Sequence, residues 1–367
     1  MNRREMLFSM AGGLMSASLV RSDAVRRSLQ NALTGTLQTA AGIGRGRLGI
    51  ADFSYNIRMR AERSTGIKGG LADPLALLEH CHEIGAGGVQ MNMGIRDELY
   101  TRKLRDKAQS YQMFIEGSSS LPKDQSDAER FDAAVRTAKD SGATVVRFAI
   151  GGRRYEQFSE AAEFRAFAER AHNGLQLAEP VARRHRVRLA VENHKDWRID
   201  QMLKMLKRLG SEYIGVCVDT NNSIALLEDP MAVVEAYAPY AFSVHLKDLS
   251  VAEYDDGFLL ADAVLGRGLL DLAKVVDILR KANREIQFSL EMATRDALKV
   301  PCLTEKYWAT FEDVPGRDLA RTLRYVRANA TPQRLPKVDH LPQDELVRLE
   351  EMNIKDSLLF AGEHLNL

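Results

Sequence analysis

At 367 residues the chain is long enough for one large α/β domain with extensions. Its 51 basic and 50 acidic residues give a net charge of +1, so no overall field favours nucleic acid or an anionic membrane. The three cysteines, Cys81, Cys217 and Cys302, have no paired spacing, which argues against a disulfide framework and against a cysteine zinc site.

The N-terminus has the features of an export signal. Arg3 and Arg4 precede an uncharged, fairly apolar run at 6–20 that is short for a membrane span. This pattern predicts the twin-arginine route and a periplasmic or otherwise exported protein. The alternative is a cytoplasmic protein with an ordinary basic start. We therefore expect residues 1–45 to be a signal peptide and linker, and no segment to span a membrane.

Between residues 46 and 330, eight β-forming runs alternate with eight helical patterns. Such alternation predicts a (β/α)₈ TIM barrel, an α/β fold. The predicted strands are 48–54, 88–92, 112–116, 143–150, 187–192, 214–219, 241–246 and 286–291. The predicted helices are 73–84, 96–110, 125–140, 158–185, 199–209, 229–237, 269–283 and 316–329. Two long connections, 249–268 and 292–315, should lie over the mouth of the barrel.

Residues 331–367 are expected to form a C-terminal helical extension. Pro332, Pro336 and Pro342 precede an amphipathic stretch at 343–360. The helix predicted there could pack on the barrel or on a second copy of the chain, so a homo-oligomer is left open.

Four consecutive predicted strands end on a potential metal ligand. The ligands are Glu192, Asp219, His245 and Glu291. The residues two positions earlier are all small, namely Ala190, Cys217, Ser243 and Ser289. The residues directly before the ligands are large and apolar, namely Val191, Val218, Val244 and Leu290. Because side chains alternate along a strand, one register places the ligands and the small residues inside the barrel. Strand ends meet at the mouth of a barrel, so we expect a single polar site.

The chemistry of these four side chains predicts the cofactor. Two glutamates, one aspartate and one histidine form a mostly oxygen ligand set, which suits Mn²⁺, Mg²⁺ or Co²⁺, with Zn²⁺ also possible. We expect one divalent ion per chain.

The segments VENHKD, CVDTNN, SVHLKD and SLEM, with LGRGLLDL at 265–272, resemble the xylose-isomerase-like TIM-barrel family of sugar phosphate isomerases and epimerases. The resemblance covers 48–329. It implies that Glu192, Asp219, His245 and Glu291 hold one divalent metal, and that Glu192 and Glu291 act as acid and base on a small sugar substrate. A metal-dependent isomerase or epimerase with an enediolate intermediate is implied. A sugar dehydratase or lyase on the same site is the alternative.

Other polar residues near the predicted strand ends are weaker candidates. His194 and Lys247 each follow a ligand by two positions and should share its face of the strand. With Asn222 and Asp248 they are candidate substrate contacts. Glu116 and Arg147 lie in the third and fourth predicted strands, and we interpret both as structural.

Three positions depart from the ketose 3-epimerases of the family. Those enzymes carry a glutamate six residues after the first ligand, a histidine three after the aspartate and an arginine six after the histidine. Here these positions hold Arg198, Asn222 and Val251, which argues against a tagatose- or psicose-type epimerase.

Two further classes of protein use related barrels. DNA-repair endonucleases with this fold need a three-metal cluster and a basic face, and 8 histidines with a net charge of +1 argue against that function and against nucleic acid as a partner. A non-catalytic sugar-binding protein would not need both Glu192 and Glu291.

Overall fold

The structure is a computed structural model and describes residues 47–64, 66, 69–332 and 335–367. The predicted signal peptide and linker, 1–45, fall outside these residues. Within the described ranges, no helix is both long enough and apolar enough to cross a membrane.

Eight parallel strands close into a barrel, which confirms the predicted fold. The barrel strands are β1 Gly49–Ala51, β2 Gly88–Met91, β3 Phe114–Ser118, β4 Val145–Phe148, β5 Arg188–Glu192, β6 Ile214–Asp219, β7 Ala241–Leu246 and β10 Phe288–Leu290. The strands β8 Asp248–Tyr254, β9 Gly257–Ala263 and β11 Leu298–Val300 form a separate sheet. The barrel order is β1-β10-β7-β6-β5-β4-β3-β2. The strands β5, β6, β7 and β10 are therefore neighbours along one arc of the barrel wall.

Helices surround the barrel at nearly the predicted positions. Their bounds are Asn56–Ser64, Pro74–Glu83, Glu98–Tyr111, Ala128–Asp140, Arg154–Gln157, Ala161–His185, Ile199–Leu209, Pro230–Tyr237, Leu272–Ala282, Glu305–Trp308, Gly316–Asn329 and Gln343–Phe360. Helix Pro74–Glu83 shows why the start of a helix could be predicted from the sequence. Pro74 occupies its first turn, and the Asp73 carboxylate accepts hydrogen bonds from Leu75 N at 3.1 Å and Ala76 N at 3.2 Å.

The alternation predicted for the site strands is present. The large apolar residues before the ligands, Val191, Val218, Val244 and Leu290, all belong to the main core between barrel and helices. Ala190 and Cys217 instead pack inside the barrel in a small separate cluster with Val145. Small side chains beneath the ligands thus leave room for polar groups at the mouth.

The connection after β7 differs from the prediction. Residues 249–268 were expected to be a long loop over the barrel mouth, but β8 and β9 form an antiparallel hairpin there, and β11 adds a third strand to it. The hairpin brings Asp262 back to the barrel mouth, where its carboxylate accepts hydrogen bonds from Asn221 Nδ2 at 2.6 Å and Ala293 N at 3.2 Å. The hairpin therefore ties together the loops that follow β6 and β10.

The C-terminal helix Gln343–Phe360 packs on the barrel side. Its residue Ile354 is fully buried in the main core. The buried Glu350 carboxylate accepts hydrogen bonds from Ile57 N at 2.7 Å and Arg58 N at 3.0 Å, at the start of helix Asn56–Ser64. A carboxylate at a helix N-terminus satisfies unpaired N–H groups and interacts favourably with the helix dipole. The extension is thus anchored through a buried acid.

Glu350 is expected to make stability depend on pH. Burial raises the pKa of Glu350 from its ordinary 4.5 to about 7, more than its hydrogen bonds lower it. Because the pKa of Glu350 is higher in the folded than in the unfolded state, its contribution to the free energy of unfolding is fully present below pH 4.5 and is lost as the pH rises through 7. Compared with Glu350→Gln, the wild type should therefore lose about 2 kcal/mol of unfolding free energy between these limits. Urea unfolding at several pH values measures this, with the exposed Asp344→Asn on the same helix as control. Parallel pH profiles for wild type and Glu350→Gln would contradict it.

Candidate metal centre

The four predicted ligands converge at the mouth of the barrel. Glu192 and Asp219 are the last residues of β5 and β6, His245 lies one residue before the end of β7, and Glu291 directly follows β10. All four are buried, with at most 5% exposure. One ligand atom from each lies within 4.8 Å of the others. The sequence therefore brings together one hard ligand set from four neighbouring strands.

The hydrogen bonds of His245 fit a metal-binding role. Its Nε2 lies 2.6 Å from Gln90 Oε1, an atom that only accepts, so the proton is on Nε2. Its Nδ1 then carries a free lone pair, and this buried atom has no hydrogen-bond partner among the residues that the structure describes. That nitrogen faces carboxylate oxygens of Glu192, Asp219 and Glu291 at 3.6, 3.9 and 3.5 Å. Acceptors that converge without a proton between them fit a divalent cation.

A buried network fixes the orientation of the Gln90 amide. Its Nε2 donates to Glu116 Oε2 at 2.8 Å and to Ser243 Oγ at 3.2 Å, which leaves Oε1 pointing at His245. Burial raises the pKa of Glu116 to about 7, while its hydrogen bonds to Ser243 and Gln90 lower it. Gln90, Ser243 and Glu116 therefore support a ligand from below, the usual role of groups behind a metal-binding histidine.

Gln90→Leu is expected to weaken metal binding about 10- to 100-fold, because His245 loses the acceptor that fixes its tautomer. Titration of chelator-treated protein with Mn²⁺ measures the affinity. The exposed Gln109→Leu, on helix Glu98–Tyr111, serves as control. Equal affinities for Gln90→Leu and wild type would show that this amide does not support the centre.

Asp219 is held by backbone groups. Its Oδ1 accepts hydrogen bonds from Asn221 N and Asn222 N, each at 2.9 Å. Asn193 links the ends of β5 and β6, since its side chain donates to Asp219 O at 2.9 Å and accepts from Asp219 N at 2.8 Å. These bonds leave Asp219 Oδ2 directed at the cluster, 3.1 Å from Lys247 Nζ.

Two basic side chains, one buried and one partly buried, compensate the three acids. Lys247, 4% exposed, contacts Glu291 and Asp219, and Arg147 contacts Glu192 and lies 3.9 Å from Glu291. Burial alone would raise the pKa of Glu291, but Lys247, His245 and Arg147 hold it well below its ordinary value. Burial disfavours the charged form of Lys247, yet Asp219 and Glu291 raise its pKa overall. Glu291 is therefore ionised at neutral pH.

The candidate substrate contacts have separate positions. Lys247 lies within the ligand cluster, as described above. Asn222 is buried and donates to Glu192 Oε1 at 3.2 Å, so it positions that carboxylate. His194 lines a cavity, and its Nδ1 has no hydrogen-bond partner among the described residues. Lys195, which sequence reasoning did not single out, lines the same cavity and donates to Asn222 Oδ1.

Asp248 has a different role from the one expected. Its carboxylate accepts four backbone hydrogen bonds, from Leu249, Gly266, Gly268 and Leu270, at 2.9 to 3.1 Å. A Cβ at Gly268 would lie 2.1 Å from Asp248 Oδ1, so this close approach requires glycine. Asp248 therefore holds the Gly-x-Gly segment in place and does not pair with Lys247.

Three residues, Arg198, Asn222 and Val251, differ from the ketose 3-epimerases. None of them is one of the four candidate ligands, and Asn222 contacts the ligand Glu192. Arg198 forms an ion pair with Asp318 at 2.8 Å, and Val251 is buried in the β8–β9 hairpin. Two of the three positions are therefore used for packing in this protein.

Comparisons with known proteins agree with this geometry. Residues 78–320 match the family model described as xylose isomerase-like TIM barrel. A 3-oxo-isoapionate decarboxylase from Pectobacterium atrosepticum is 26% identical over 133 residues, which cover 35% of this chain and 48% of that protein. The match therefore spans about half of this relative's length.

Solved structures share the fold at low sequence identity. A D-tagatose 3-epimerase-like protein has a TM-score of 0.50 at 14% identity, covering 77% of this chain and 98% of its own. A xylose isomerase-like TIM barrel protein from Mycobacterium smegmatis, crystallised in complex with magnesium, has a TM-score of 0.47 at 16% identity, covering 67% and 88%. With the family model matched over most of the barrel, the chain belongs to the xylose isomerase-like TIM barrel family.

Proposed function

We propose that this protein is a divalent-metal-dependent isomerase or epimerase that acts on a sugar or keto-sugar through an enediolate. The observation that carries the proposal is the arrangement of the two glutamates. Glu192 and Glu291 end the outer two strands of the four-strand arc, with Asp219 and His245 between them. A substrate carbon held between the glutamates would have a carboxylate on either side.

The residues present divide the chemistry among them. Glu192, Asp219, His245 and Glu291 would hold the metal, which would polarise a carbonyl and stabilise the negative charge that develops on its oxygen. One glutamate then removes the proton on the neighbouring carbon, and the other returns a proton to the opposite face, which is epimerisation. Return at the adjacent carbon gives aldose–ketose isomerisation. The lowered pKa of Glu291 keeps it ionised and ready to accept a proton.

The second candidate is bond cleavage beside the same carbonyl. Loss of a β-hydroxyl or β-alkoxyl from the enediolate is dehydration or elimination, and both need the same acids and bases. The relative named 3-oxo-isoapionate decarboxylase favours this class, because loss of CO₂ beside a ketone leaves electrons that the same site would stabilise. The substrate remains a small sugar derivative in both readings.

Deuterium exchange tests the proposal. The protein is reconstituted with Mn²⁺, incubated in D₂O with a panel of ketoses and keto acids, and followed by NMR. We expect metal-dependent entry of deuterium at the carbon beside the carbonyl of at least one compound. Turnover without any carbon-bound proton being broken would contradict the enediolate mechanism and favour hydrolysis.

We also propose that the protein is exported folded through the twin-arginine route. The supporting feature is the Arg3-Arg4 pair ahead of the apolar run at 6–20. Replacing both arginines with lysine should retain the protein in the cytoplasm, as measured by cell fractionation and immunoblotting. Cytoplasmic residence of the unaltered protein would contradict the proposal.

A further inference from the structure

A cavity of about 570 Å³ carries an excess of positive charge, and one of its lining residues, Lys195, is linked through Asn222 to Glu192 of the candidate metal centre. Its charged lining residues are Arg153, Glu156, Lys195 and Arg295. Arg153 and Glu156 pair at 2.8 Å and cancel each other. Within the described part of the chain, Arg295 forms only a loose ion pair, with its Nη2 3.8 Å from Asp262 Oδ2. Lys195 and Arg295 are therefore the two basic lining residues that lack a close ion pair among the described residues.

Lys195 is the more unusual of the two. Its side chain is 3% exposed, and its ammonium donates to a neutral acceptor, Asn222 Oδ1. Among the described residues, no carboxylate oxygen lies within the 4.0 Å that defines an ion pair with it. A buried ammonium without a close counterion is costly, and burial together with the nearby Lys247 lowers the pKa of Lys195 to about 8. A carboxylate on a bound ligand would stabilise the ammonium form. The nearby His194 Nδ1, buried and without a partner among the described residues, is a second polar group available to a ligand.

We propose that the substrate of this site carries a carboxylate close to its carbonyl, and that Lys195 binds that carboxylate with Arg295 at the outer edge. The inference rests on the proposed function and narrows its substrate to a keto-sugar acid. Lys195 makes a charge-assisted hydrogen bond to the substrate and sets specificity, without taking part in proton transfer.

The position of Lys195 indicates where the anionic group must be. Lys195 donates to Asn222, and Asn222 donates to Glu192 Oε1 at 3.2 Å, so one side chain separates the ammonium from a proton-transfer glutamate. An anion that reaches Lys195 must therefore be attached near the reacting carbon. This favours a carboxylate over the phosphate at the far end of a sugar phosphate. Phosphate groups are also usually held by several free backbone N–H groups, whereas Gly152 N in this cavity already donates to Gln157 Oε1 at 3.1 Å.

Matched pairs of probes test the inference by binding. D-fructose and 2-keto-D-gluconate differ only at carbon 1, as do L-sorbose and 2-keto-L-gulonate. Titration calorimetry on the metal-reconstituted full chain gives a Kd for each. In at least one pair the acid should bind about 10- to 100-fold more tightly than the ketose. Lys195→Met should remove this preference, measured as the ratio of the two Kd values within each pair.

Further variants distinguish an effect of the lost positive charge from an effect of misfolding. Lys195→Arg keeps the charge and should retain most of the preference for the acid, while the exposed Lys103→Met should behave as wild type. Arg295→Gln, at a partly exposed position, should weaken acid binding by a smaller factor than Lys195→Met, and it provides a test if Lys195→Met does not fold. An unchanged preference in both Lys195→Met and Arg295→Gln would overturn the inference.

The same experiments distinguish failure of the carboxylate site from failure of the proposed isomerase or epimerase function. Absence of any preference for the acids overturns this inference, even if neutral ketoses exchange deuterium and the proposed function stands. Tighter binding of D-fructose 1-phosphate than of 2-keto-D-gluconate also overturns it, in favour of a phosphate site. Acid binding that depends on Lys195, without exchange in any compound, supports the carboxylate site and contradicts the proposed isomerase or epimerase.

Discussion

His245→Ala is expected to lose most of its bound divalent metal, with an affinity at least about 100-fold below that of the wild type. The substitution removes the one nitrogen ligand and leaves three carboxylates that Lys247 and Arg147 already neutralise in part. The barrel should stay folded, since His245 lies at the mouth and the layers of packed apolar side chains are elsewhere. Elemental analysis of protein prepared without chelator measures the loss.

The exposed His364→Ala, far along the chain in the C-terminal segment, is the matched control and should keep its metal. Thermal unfolding in the presence of chelator compares the metal-free proteins and checks that the fold survives. Full metal content in His245→Ala, or none in the wild type even after reconstitution, would rule out the centre described here.

The convergence of the four candidate ligands was predictable because it follows a local rule. Parallel strands alternate side chains with a period of two, so Glu192 and Ala190 must share a face wherever the strand lies. All parallel strands of a barrel end at one mouth, which brings Glu192 together with Glu291 although 99 residues separate them in the chain. The positions of the ligands therefore required only the strand register and the fold class.

The residues behind the ligands depend on how the barrel closes. Gln90 reaches His245 across the interior from β2, a strand that is not its neighbour in the wall. No short spacing in the sequence relates the two residues, and a glutamine within a strand has no distinctive pattern. Glu116 was noted but interpreted as structural, and its contact to Gln90 appears only once β2 and β3 are placed in register.

The β8–β9 hairpin did leave a sequence signal that the prediction missed. Asp256-Gly257 separates two runs of β-forming residues, a pattern typical of a tight hairpin turn. Expecting only barrel strands and helices led to the assignment of 249–268 as a loop. The error concealed Asp262, which returns to the site only because the hairpin folds back on itself.

Glu291→Gln is expected to lower kcat by about 10²- to 10⁴-fold while much of the metal remains bound. The amide keeps one ligand oxygen and nearly the same shape, but it cannot accept the substrate proton. Lys247 keeps a carboxylate partner in Asp219 at 3.1 Å, which limits disturbance of the cluster. The loss should appear in kcat more than in KM, since the interaction removed is made mainly in the transition state.

The measurement follows deuterium entry from D₂O into a compound that the wild type turns over, with metal content determined on the same samples. Glu285→Gln, an exposed substitution of the same kind just before β10, is the control and should match the wild type. Glu192→Gln tests the opposite face of the substrate carbon. If the two glutamates act on different sides of that carbon, each variant should block epimerisation. The variant that retains the glutamate which removes the proton should still exchange the original proton for deuterium. Exchange and conversion at the wild-type rate in metal-loaded Glu291→Gln would remove Glu291 from the proton transfer and leave it as a metal ligand alone.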